Sequence, residues 1–251
     1  MRIGLIGAGN MASALARGLG EPALVSDVDR PRAEALAKEI GGEAVESNAA
    51  AAAGADAVVL CHKPVQLTAV ADEIRGEARA IVSILGGTPV AAVEEAYPDR
   101  PVYRFMPSIP VEVRQGVLCY APGARATDGP EAEIRELFGR LGTVVELPES
   151  LIDAATAVMS CGPAFFALVV EALVDAGVAH GLAPDVAATM AVESMAGTAA
   201  VLRERGNDTR ELRRRVTSPG GMTARGLAAL ERAGLRAAFE DAVAAVVEVP
   251  R

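Results

Sequence analysis

The sequence predicts an α/β fold in which a mostly parallel sheet is followed by an all-helical region. Short apolar runs alternate with helical segments up to about Pro148, and strand patterns vanish after that point. Hydrophobic residues make up 51% of the 251 residues, whereas aromatic residues make up only 3%. The core is therefore expected to consist of Ala, Val, Leu and Ile in closely packed layers. We expect two domains, 1–148 and 149–251.

In the first domain, apolar runs predict strands and the segments between them predict helices. Strands are expected at residues 2–6, 23–26, 57–61, 80–85, 102–105, 117–120 and 143–146, and helices at 11–18, 32–40 and 130–141. A helix is also the simplest structure for the alanine run at 49–53. Because parallel strands need long crossover connections, this alternation predicts βαβ units.

In the second domain, proline and capping residues mark the starts of helices. Pro163 and Pro184 can each occupy the first turn, where a missing N–H costs nothing. The segment Asp208-Thr-Arg-Glu211 is a capping box that starts a third helix. Helices are expected at 163–178, 184–205, 208–216, 224–232 and 235–247. The first of these carries an apolar face made of Phe166, Val169, Val170 and Leu173.

Charge and cysteine content exclude several classes of protein. The net charge of −9 opposes binding to nucleic acids or anionic membranes, and the arginines at 213–215 are expected on a solvated helix face. Cys61, Cys119 and Cys161 are far apart and form no CxxC pair, so no metal site or disulfide framework is expected. They are interpreted as small buried residues in a reducing compartment.

The sequence also carries signals about localisation. The first residues run directly into a strand pattern, without the regions of a signal peptide. The longest uncharged apolar stretch lies between Asp153 and Glu171, and Gly162-Pro163 interrupts it. We expect a buried helix there rather than a membrane span, and therefore a soluble cytoplasmic protein.

A glycine-rich turn is the first chemical signal. The segment Gly7-Ala8-Gly9-Asn10-Met11-Ala12 follows a strand and opens a helix. Gly7 permits the tight turn, Gly9 lets a pyrophosphate approach the backbone, and Ala12 allows the helix to pack closely on the sheet. The helix N-terminus favours an anion at this place. A plain strand–turn–helix connection is the alternative, but the full context favours dinucleotide binding in a Rossmann-like domain.

Asp27, at the end of the second strand, bears on the choice of dinucleotide. An acidic residue there typically bonds the adenosine ribose hydroxyls and favours NAD. Arg30 and Arg32 follow closely and could instead bind the 2′-phosphate of NADP. Asp27 could equally be a turn residue without a ligand. The sequence leaves these alternatives open.

Four other polar residues have competing interpretations. His62 ends the third strand run, where it could contact a cofactor or lie in a solvated loop. His180 is interpreted as a histidine favoured by the dipole at a helix C-terminus. Glu171 and Asp175 share a helix face, but no further acid or metal pattern supports a catalytic pair.

The segment 217–223, Thr-Ser-Pro-Gly-Gly-Met-Thr, joins two predicted helices. Its hydroxyls, its two glycines and the following helix N-terminus could form a nest that binds a carboxylate. Capping of the helix by Ser218 or Thr223 would explain one hydroxyl but not the pair of glycines. The loop therefore favours anion binding.

Together these segments resemble the pyrroline-5-carboxylate reductase family over essentially the whole chain. The Ser-Pro-Gly-Gly loop is the most specific of them. In chain order, the resemblance is carried by the glycine-rich turn, Lys63-Pro64, Arg104-Phe-Met-Pro107, Gly162-Pro163-Ala164 and Val216-Thr-Ser-Pro-Gly-Gly221.

The resemblance implies a Rossmann domain and a helical dimerisation domain whose helices interleave in a homodimer or higher oligomer. The active site would form between the cofactor of one chain and the helical loop of another. The implied reaction is hydride transfer from NADPH or NADH to the C=N carbon of 1-pyrroline-5-carboxylate, giving L-proline. Because a protonated cyclic imine is already electrophilic, the protein mainly supplies positioning and electrostatics.

The resemblance also implies roles for single residues. Ser218, Gly220 and Gly221 would hold the substrate carboxylate, and Thr223 would hydrogen-bond the ring nitrogen, so Thr223 and Ser218 are the catalytic candidates. The cofactor would be bound by Gly7, Gly9, Asn10, Met11, Asp27, Lys63, Pro64 and Ser108.

The sequence departs from the family at several of these places. Ser108 stands where the family has Asn, and Met222 stands where it has Thr or Ala. Met159, Cys161 and Phe165 replace Ser, Ser and Tyr of a Ser-Gly-Ser-Gly-Pro-Ala-Tyr segment. Neutral drift, a pocket for a bulkier imine and lost catalysis all remain open. The alternatives are a paralogous reductase of another cyclic imine or carbonyl, and a non-catalytic nicotinamide-binding regulator; we expect the activity to be retained.

Overall fold

A computed structural model describes residues 1–248 of the chain. Its first unit, Met1–Pro163, is built around one eight-stranded sheet. The predicted α/β class is confirmed. The strands are β1 Ile3–Ile6, β2 Leu24–Ser26, β3 Glu43–Ala44, β4 Ala57–Leu60, β5 Ile81–Ser83, β6 Val102–Pro107, β7 Gly116–Pro122 and β8 Gly142–Glu146.

The strand order places a topological switch next to the glycine-rich turn. The order across the sheet is β3-β2-β1-β4-β5-β6-β7-β8, and only the β6–β7 pair is antiparallel. The chain moves outward from β1 to β3 and then returns to add β4 on the other side of β1. Ligands of open parallel sheets bind at such a point, beyond the carboxyl ends of the strands.

Helices cover both faces of this sheet. On one face α1, α2 and α6 pack through apolar side chains such as Ala14, Ala33 and Ile134. On the other face α3, α4, α5 and α7 pack through residues such as Ala52, Val93 and Ile152. The helices are α1 Asn10–Leu19, α2 Arg30–Ile40, α3 Asn48–Ala53, α4 Leu67–Ile74, α5 Val90–Ala96, α6 Glu131–Gly139 and α7 Ile152–Ala155.

The few aromatic residues of the first unit are concentrated near β6, β7 and α6. The ring of Phe105 lies 4.3 Å from that of Phe138 and 4.7 Å from that of Tyr120, centroid to centroid. Tyr103 is buried beside them, and its hydroxyl donates to the Ala126 carbonyl at 2.8 Å. Apart from Tyr97 in the cluster on the other face, the rest of the core consists mainly of Ala, Val, Leu and Ile, as the composition predicts.

A π-helical turn, Thr156–Ser160, connects α7 to the next helix, α8 Gly162–Ala179. The Cys161 N–H donates to the Thr156 carbonyl at 3.0 Å, which is the wider spacing of a π turn. Pro163 explains the widening, because its ring would otherwise collide with the carbonyl of Met159, four residues earlier. Such turns recur at functional sites.

The second unit begins at Ala164 and is entirely helical over its described residues. The Asp208 side chain accepts from the N–H groups of Arg210 and Glu211, as expected of a helix cap. The predicted helices agree with the structure to within two residues at each end. Beyond α8 they are α9 Pro184–Glu204, α10 Thr209–Val216, α11 Met222–Arg232 and α12 Leu235–Val247.

The second unit has almost no core of its own. Among its described residues only Ala187 and Ala191 are buried, while Phe166, Leu168 and Leu173 of α8 are more than half exposed. The helical stretch Glu149–Ala179 is long and apolar enough to cross a membrane by length and composition, and 11% of its most apolar window is buried. The prediction of a buried helix between Asp153 and Glu171 is therefore wrong for the single chain, because too few neighbouring side chains cover it.

Candidate functional site

A cleft of about 520 Å³ lies beyond the carboxyl ends of β2, β1, β4 and β5. It is open to solvent and is formed within the first unit. Seven of the eight predicted cofactor residues line it together, namely Gly7, Gly9, Asn10, Met11, Asp27, Lys63 and Pro64. The topology explains this grouping, since parallel strands deliver their following turns to the same edge of the sheet.

The glycine-rich turn has the geometry that a dinucleotide requires. Gly7 has a φ of +104°, and a Cβ there would lie 2.8 Å from the carbonyl of Cys61. Gly9 is the N-cap of α1 and has no side chain to bond the helix, and nothing lies within 4 Å of where its Cβ would be. The backbone N–H groups that begin α1 are therefore accessible to an anion from the cleft.

Asp27 lines the cleft and also links, by hydrogen bonds, the turns that follow β1 and β2. One carboxylate oxygen accepts from the Ala8 N–H at 2.6 Å, and the other accepts from the Asp29 N–H at 2.8 Å. Each oxygen has further acceptor capacity, so a ribose hydroxyl can still bind there. Arg32 also lines the cleft and pairs with Asp29 at 3.2 Å. The two sequence signals for NAD and NADP thus face the same cavity.

Two polar residues that the sequence does not point to also line the cleft, Asn48 and Gln66, together with His62, for which the sequence leaves a cofactor contact open. Asn48 begins α3, and its side-chain oxygen accepts from the Ser26 hydroxyl at 2.6 Å. Gln66 folds back so that its side-chain oxygen accepts from the Lys63 N–H at 3.1 Å. No sequence motif marks Asn48 or Gln66; the connections after β3 and β4 bring them to the cleft.

Ser108 does not line the cleft. Its hydroxyl donates to the Val117 carbonyl at 3.1 Å and accepts from the Val117 N–H at 2.9 Å, and the residue is buried. Both bonds link the end of β6 to the start of β7. In this structure Ser108 acts as part of the strand pairing, so its assignment to the cofactor has no geometric support.

Cys61 lies in the cleft wall but is not set up as a nucleophile. Burial raises the pKa of its thiol far above the ordinary value. The reactive form of cysteine is the thiolate, which is absent at neutral pH under these conditions. The interpretation of Cys61 as a packing residue fits this environment.

The predicted substrate residues occur together in the second unit, in the loop before α11. Gly220 has a φ of +67°, and a Cβ on Gly221 would lie 2.3 Å from the hydroxyl oxygen of Ser218. Gly221 is the N-cap of α11, and no side chain caps this helix. Capping by Ser218 or Thr223 is thus not what the structure shows. Backbone N–H groups at the start of α11 are left accessible to a carboxylate.

The residues that depart from the family lie in both units. Met159 is in the π-helical turn and packs against the core, and Cys161 follows that turn. In the second unit, Phe165 lies in the first turns of α8, and Met222 begins α11 with 83% of its surface exposed. Met222 is therefore free to contact a ligand or a partner chain.

Comparison with known proteins gives a consistent picture. Residues 149–251 match the family model described as pyrroline-5-carboxylate reductase dimerisation, and residues 2–87 match the model described as NADP oxidoreductase coenzyme F420-dependent. Pyrroline-5-carboxylate reductase of Pseudomonas aeruginosa is 38% identical, over 96% of this chain and 93% of that one. The Methanosarcina acetivorans enzyme is 36% identical, over 96% and 94%.

Solved structures extend the likeness to the fold. Pyrroline carboxylate reductase from Plasmodium falciparum, crystallised with NADP bound, has a TM-score of 0.87 at 27% identity and covers 99% of this chain and 96% of its own. The Streptococcus pyogenes 1-pyrroline-5-carboxylate reductase has a TM-score of 0.90 at 26% identity, with 99% and 97% covered.

Proposed function

The chain belongs to the pyrroline-5-carboxylate reductase family, and on that premise we propose how its residues perform the reaction. As a member it reduces 1-pyrroline-5-carboxylate to L-proline with NADPH or NADH. The observation that carries the assignment is the match along nearly the full length of the chain. The chemistry needs a site for the dinucleotide, a site for the substrate carboxylate and a group that hydrogen-bonds the imine nitrogen.

The first unit supplies the dinucleotide site. The Cβ-free backbone at Gly7 and the uncapped start of α1 at Gly9 fit a pyrophosphate, and Asp27 offers oxygen acceptors to a ribose. Lys63 lines the same cleft and supplies a positive charge for the phosphates. When bound, the reduced nicotinamide supplies the hydride. The residues themselves bind and orient the dinucleotide.

The loop before α11 supplies the substrate site. The hydroxyl of Ser218, the backbone N–H of Gly220 and the uncapped start of α11 at Gly221 hold the substrate carboxylate, while the N–H of Gly221 itself closes the turn by donating to the Ser218 carbonyl at 3.0 Å. Thr223, one residue into α11, reaches the ring nitrogen with its hydroxyl. Fixing the carboxylate and the nitrogen together orients the C=N bond, and because a protonated cyclic imine is already electrophilic, the site is proposed to work without a histidine acid.

The helical domain, 149–251, is proposed to form a homodimer in the cytoplasm, with 1–148 as the dinucleotide-binding domain. Large apolar side chains such as Phe166, Leu173 and Met190 are exposed in the single chain. A second copy that covers them would remove this surface from water. The match of this segment to a dimerisation model supports the same arrangement.

Replacement of Thr223 tests the proposed substrate site. The change Thr223→Ala should lower kcat by about 10- to 100-fold, because a hydrogen bond to the reacting nitrogen is lost. The dissociation constant for NADPH or NADH should stay within about twofold, since the dinucleotide site belongs to the first unit. Steady-state kinetics and calorimetric titration measure the two quantities.

Thr143→Ala is the matched control, because Thr143 is exposed on β8 of the first unit. It should leave both constants unchanged. If Thr223→Ala weakened cofactor binding as strongly as turnover, or left turnover intact, the assigned role of Thr223 would be wrong.

A further inference from the structure

The helix before the substrate loop carries positive charge in a chain that is otherwise acidic. Residues 208–225 contain five arginines against one aspartate and one glutamate, a net charge of +3, whereas the whole chain carries −9. Four of these arginines lie on α10, which ends where the loop 217–223 begins. The reaction proposed for the loop does not itself require these charges.

Acidic neighbours compensate only part of the charge on α10. Arg214 pairs with Glu211 of the same helix at 2.9 Å. Arg213 is 4.0 Å from Glu231 of α11, a carboxylate that another arginine engages more closely, at 2.8 Å. Arg210 has no ion pair among the residues that the structure describes. A net positive potential therefore remains at this end of α10.

The arginine side chains share a surface with the start of the loop. Arg210, Arg213 and Arg214 line an open pocket of about 430 Å³ together with Thr217, the first residue of the loop, and Leu227 of α11. At about 1.5 Å per residue, Arg213 lies about 4.5 Å and Arg210 about 9 Å along the axis from the last residue of α10. Salt screens charges over about 10 Å at 0.1 M and about 30 Å at 0.01 M. These charges therefore act on the loop at low ionic strength.

A carboxylate is the group on which this potential acts. The loop is proposed to hold the substrate carboxylate through a hydroxyl and backbone N–H groups, none of which carries a full charge. The net negative charge of the chain repels an anion. A positive potential at the loop favours approaches in which the carboxylate end of the substrate enters first, and so raises the rate of productive encounter.

We propose that the arginines of α10 attract the carboxylate end of the substrate to the loop 217–223. This deepens the proposed function, because it rests on the loop being the substrate site. The arginines have a positioning role: they act through the potential at the loop and touch neither the reacting atoms nor the cofactor. They raise kcat/KM by lowering KM and leave kcat unchanged, because the chemical step begins after the substrate is bound.

Removal of two charges tests this role by steady-state kinetics. The double change Arg210→Gln with Arg213→Gln should lower kcat/KM for 1-pyrroline-5-carboxylate about 3-fold at about 10 mM ionic strength, with kcat within about 1.5-fold. At about 1 M sodium chloride the difference from the unmodified protein should disappear, because the screening length is then about 3 Å. Helix α10 has no buried residue and glutamine is a good helix former, so the fold should be retained.

Two further variants separate a potential from a direct contact. Arg210→Lys with Arg213→Lys keeps the charge but not the guanidinium geometry, and should keep kcat/KM within about 1.5-fold. Arg79→Gln with Arg125→Gln removes the same charge from exposed positions of the first unit, before β5 and after β7. This matched control should leave kcat/KM unchanged.

The possible results are distinct. A loss of kcat/KM that persists at high salt, or that the lysine variant shares, would indicate a direct contact and overturn the proposal. An unchanged kcat/KM or a fall in kcat in the glutamine variant of α10 would also overturn it, as would an equal loss in the control. An unmodified protein that binds NADPH or NADH but does not oxidise it with substrate would contradict the proposed function, and this inference with it.

Discussion

At the scale of single residues, Asp27 shows how one side chain combines a structural and a ligand-binding role. Its two oxygens accept backbone N–H groups from both neighbouring turns, at Ala8 and Asp29. Removing the side chain therefore risks loosening the glycine-rich turn as well as changing the ribose contact. A substitution that tests cofactor choice has to separate these effects.

The change Asp27→Asn removes the negative charge but keeps an oxygen that can accept from the Ala8 N–H. A 2′-phosphate would no longer be repelled, so kcat/KM for NADPH relative to NADH should rise by about 10-fold. Asp27→Ser should raise the same ratio but should also weaken both cofactors, because the turn loses its acceptor. An unchanged ratio in both variants would mean that Asp27 does not contact the ribose.

The candidate site could be predicted only where a motif marks it. The glycines and Lys63-Pro64 follow strands directly, so the sequence places them at the correct edge of the sheet. Asn48 reaches the same cleft through a hydrogen bond with Ser26, a contact between residues 22 apart that no local pattern encodes. The assignment of Ser108 to the cofactor rests on resemblance alone, and the antiparallel β6–β7 pairing that engages its hydroxyl is not visible in the sequence.

At the scale of elements, an ion pair between a buried arginine and a partly exposed glutamate links the segment after β8 to the sheet. The Arg104 side chain, on β6, is only 4% exposed and pairs with Glu149. The same Glu149 oxygen accepts from the Val90 N–H at the start of α5, at 2.6 Å. One carboxylate thus joins three elements of the first unit. Its position just after Pro148 helps to explain why this unit continues to Pro163.

The change Glu149→Ala should lower the free energy of unfolding by about 2–3 kcal/mol. Arg104 would keep a buried charge without its partner, and the Val90 N–H would lose its acceptor. Glu21→Ala is the matched control, since Glu21 pairs with Arg140 at 2.6 Å while both side chains are more than 40% exposed. That change should cost less than about 1 kcal/mol. Urea unfolding followed by circular dichroism measures both; equal losses would contradict the account.

The order of strands and helices was largely predictable, with ends within two residues, because apolar runs and proline or Asp caps mark them. The exceptions have physical reasons. Strand β3 has only two residues, Glu43 and Ala44, and neither is buried, so it has no apolar run. The sequence also assigns no bounds to the short helices α4, α5 and α7; in α5, only Val90 and Val93 of the seven residues are buried.

At the scale of the whole molecule, the two units bury their apolar residues very differently. The first has two continuous hydrophobic clusters, one on each face of its sheet. The second leaves Phe166, Leu168 and Leu173 exposed on a single helix. Composition alone cannot reveal this contrast, because it does not show which apolar residues a single chain can cover. The exposed surface is what a second copy is proposed to cover.

Disruption of that surface should separate the chains. Phe166 and Leu173 are seven residues apart on α8 and therefore share a face. The double change Phe166→Glu with Leu173→Glu should convert the dimer to a monomer in sedimentation equilibrium, because two charges would be buried unpaired. Val113→Glu, on an exposed residue of the first unit, should leave the dimer intact. A dimer that survives the double change would contradict an interface on this face.

The central claim is that this chain reduces 1-pyrroline-5-carboxylate to L-proline, with NADPH or NADH as the hydride donor. The most direct measurement follows the absorbance of NADPH and of NADH with purified protein and substrate, while proline is quantified in the same samples. We expect substrate-dependent oxidation with at least one cofactor and an equimolar yield of proline. Cofactor binding without any substrate-dependent oxidation, with either dinucleotide, would contradict the claim.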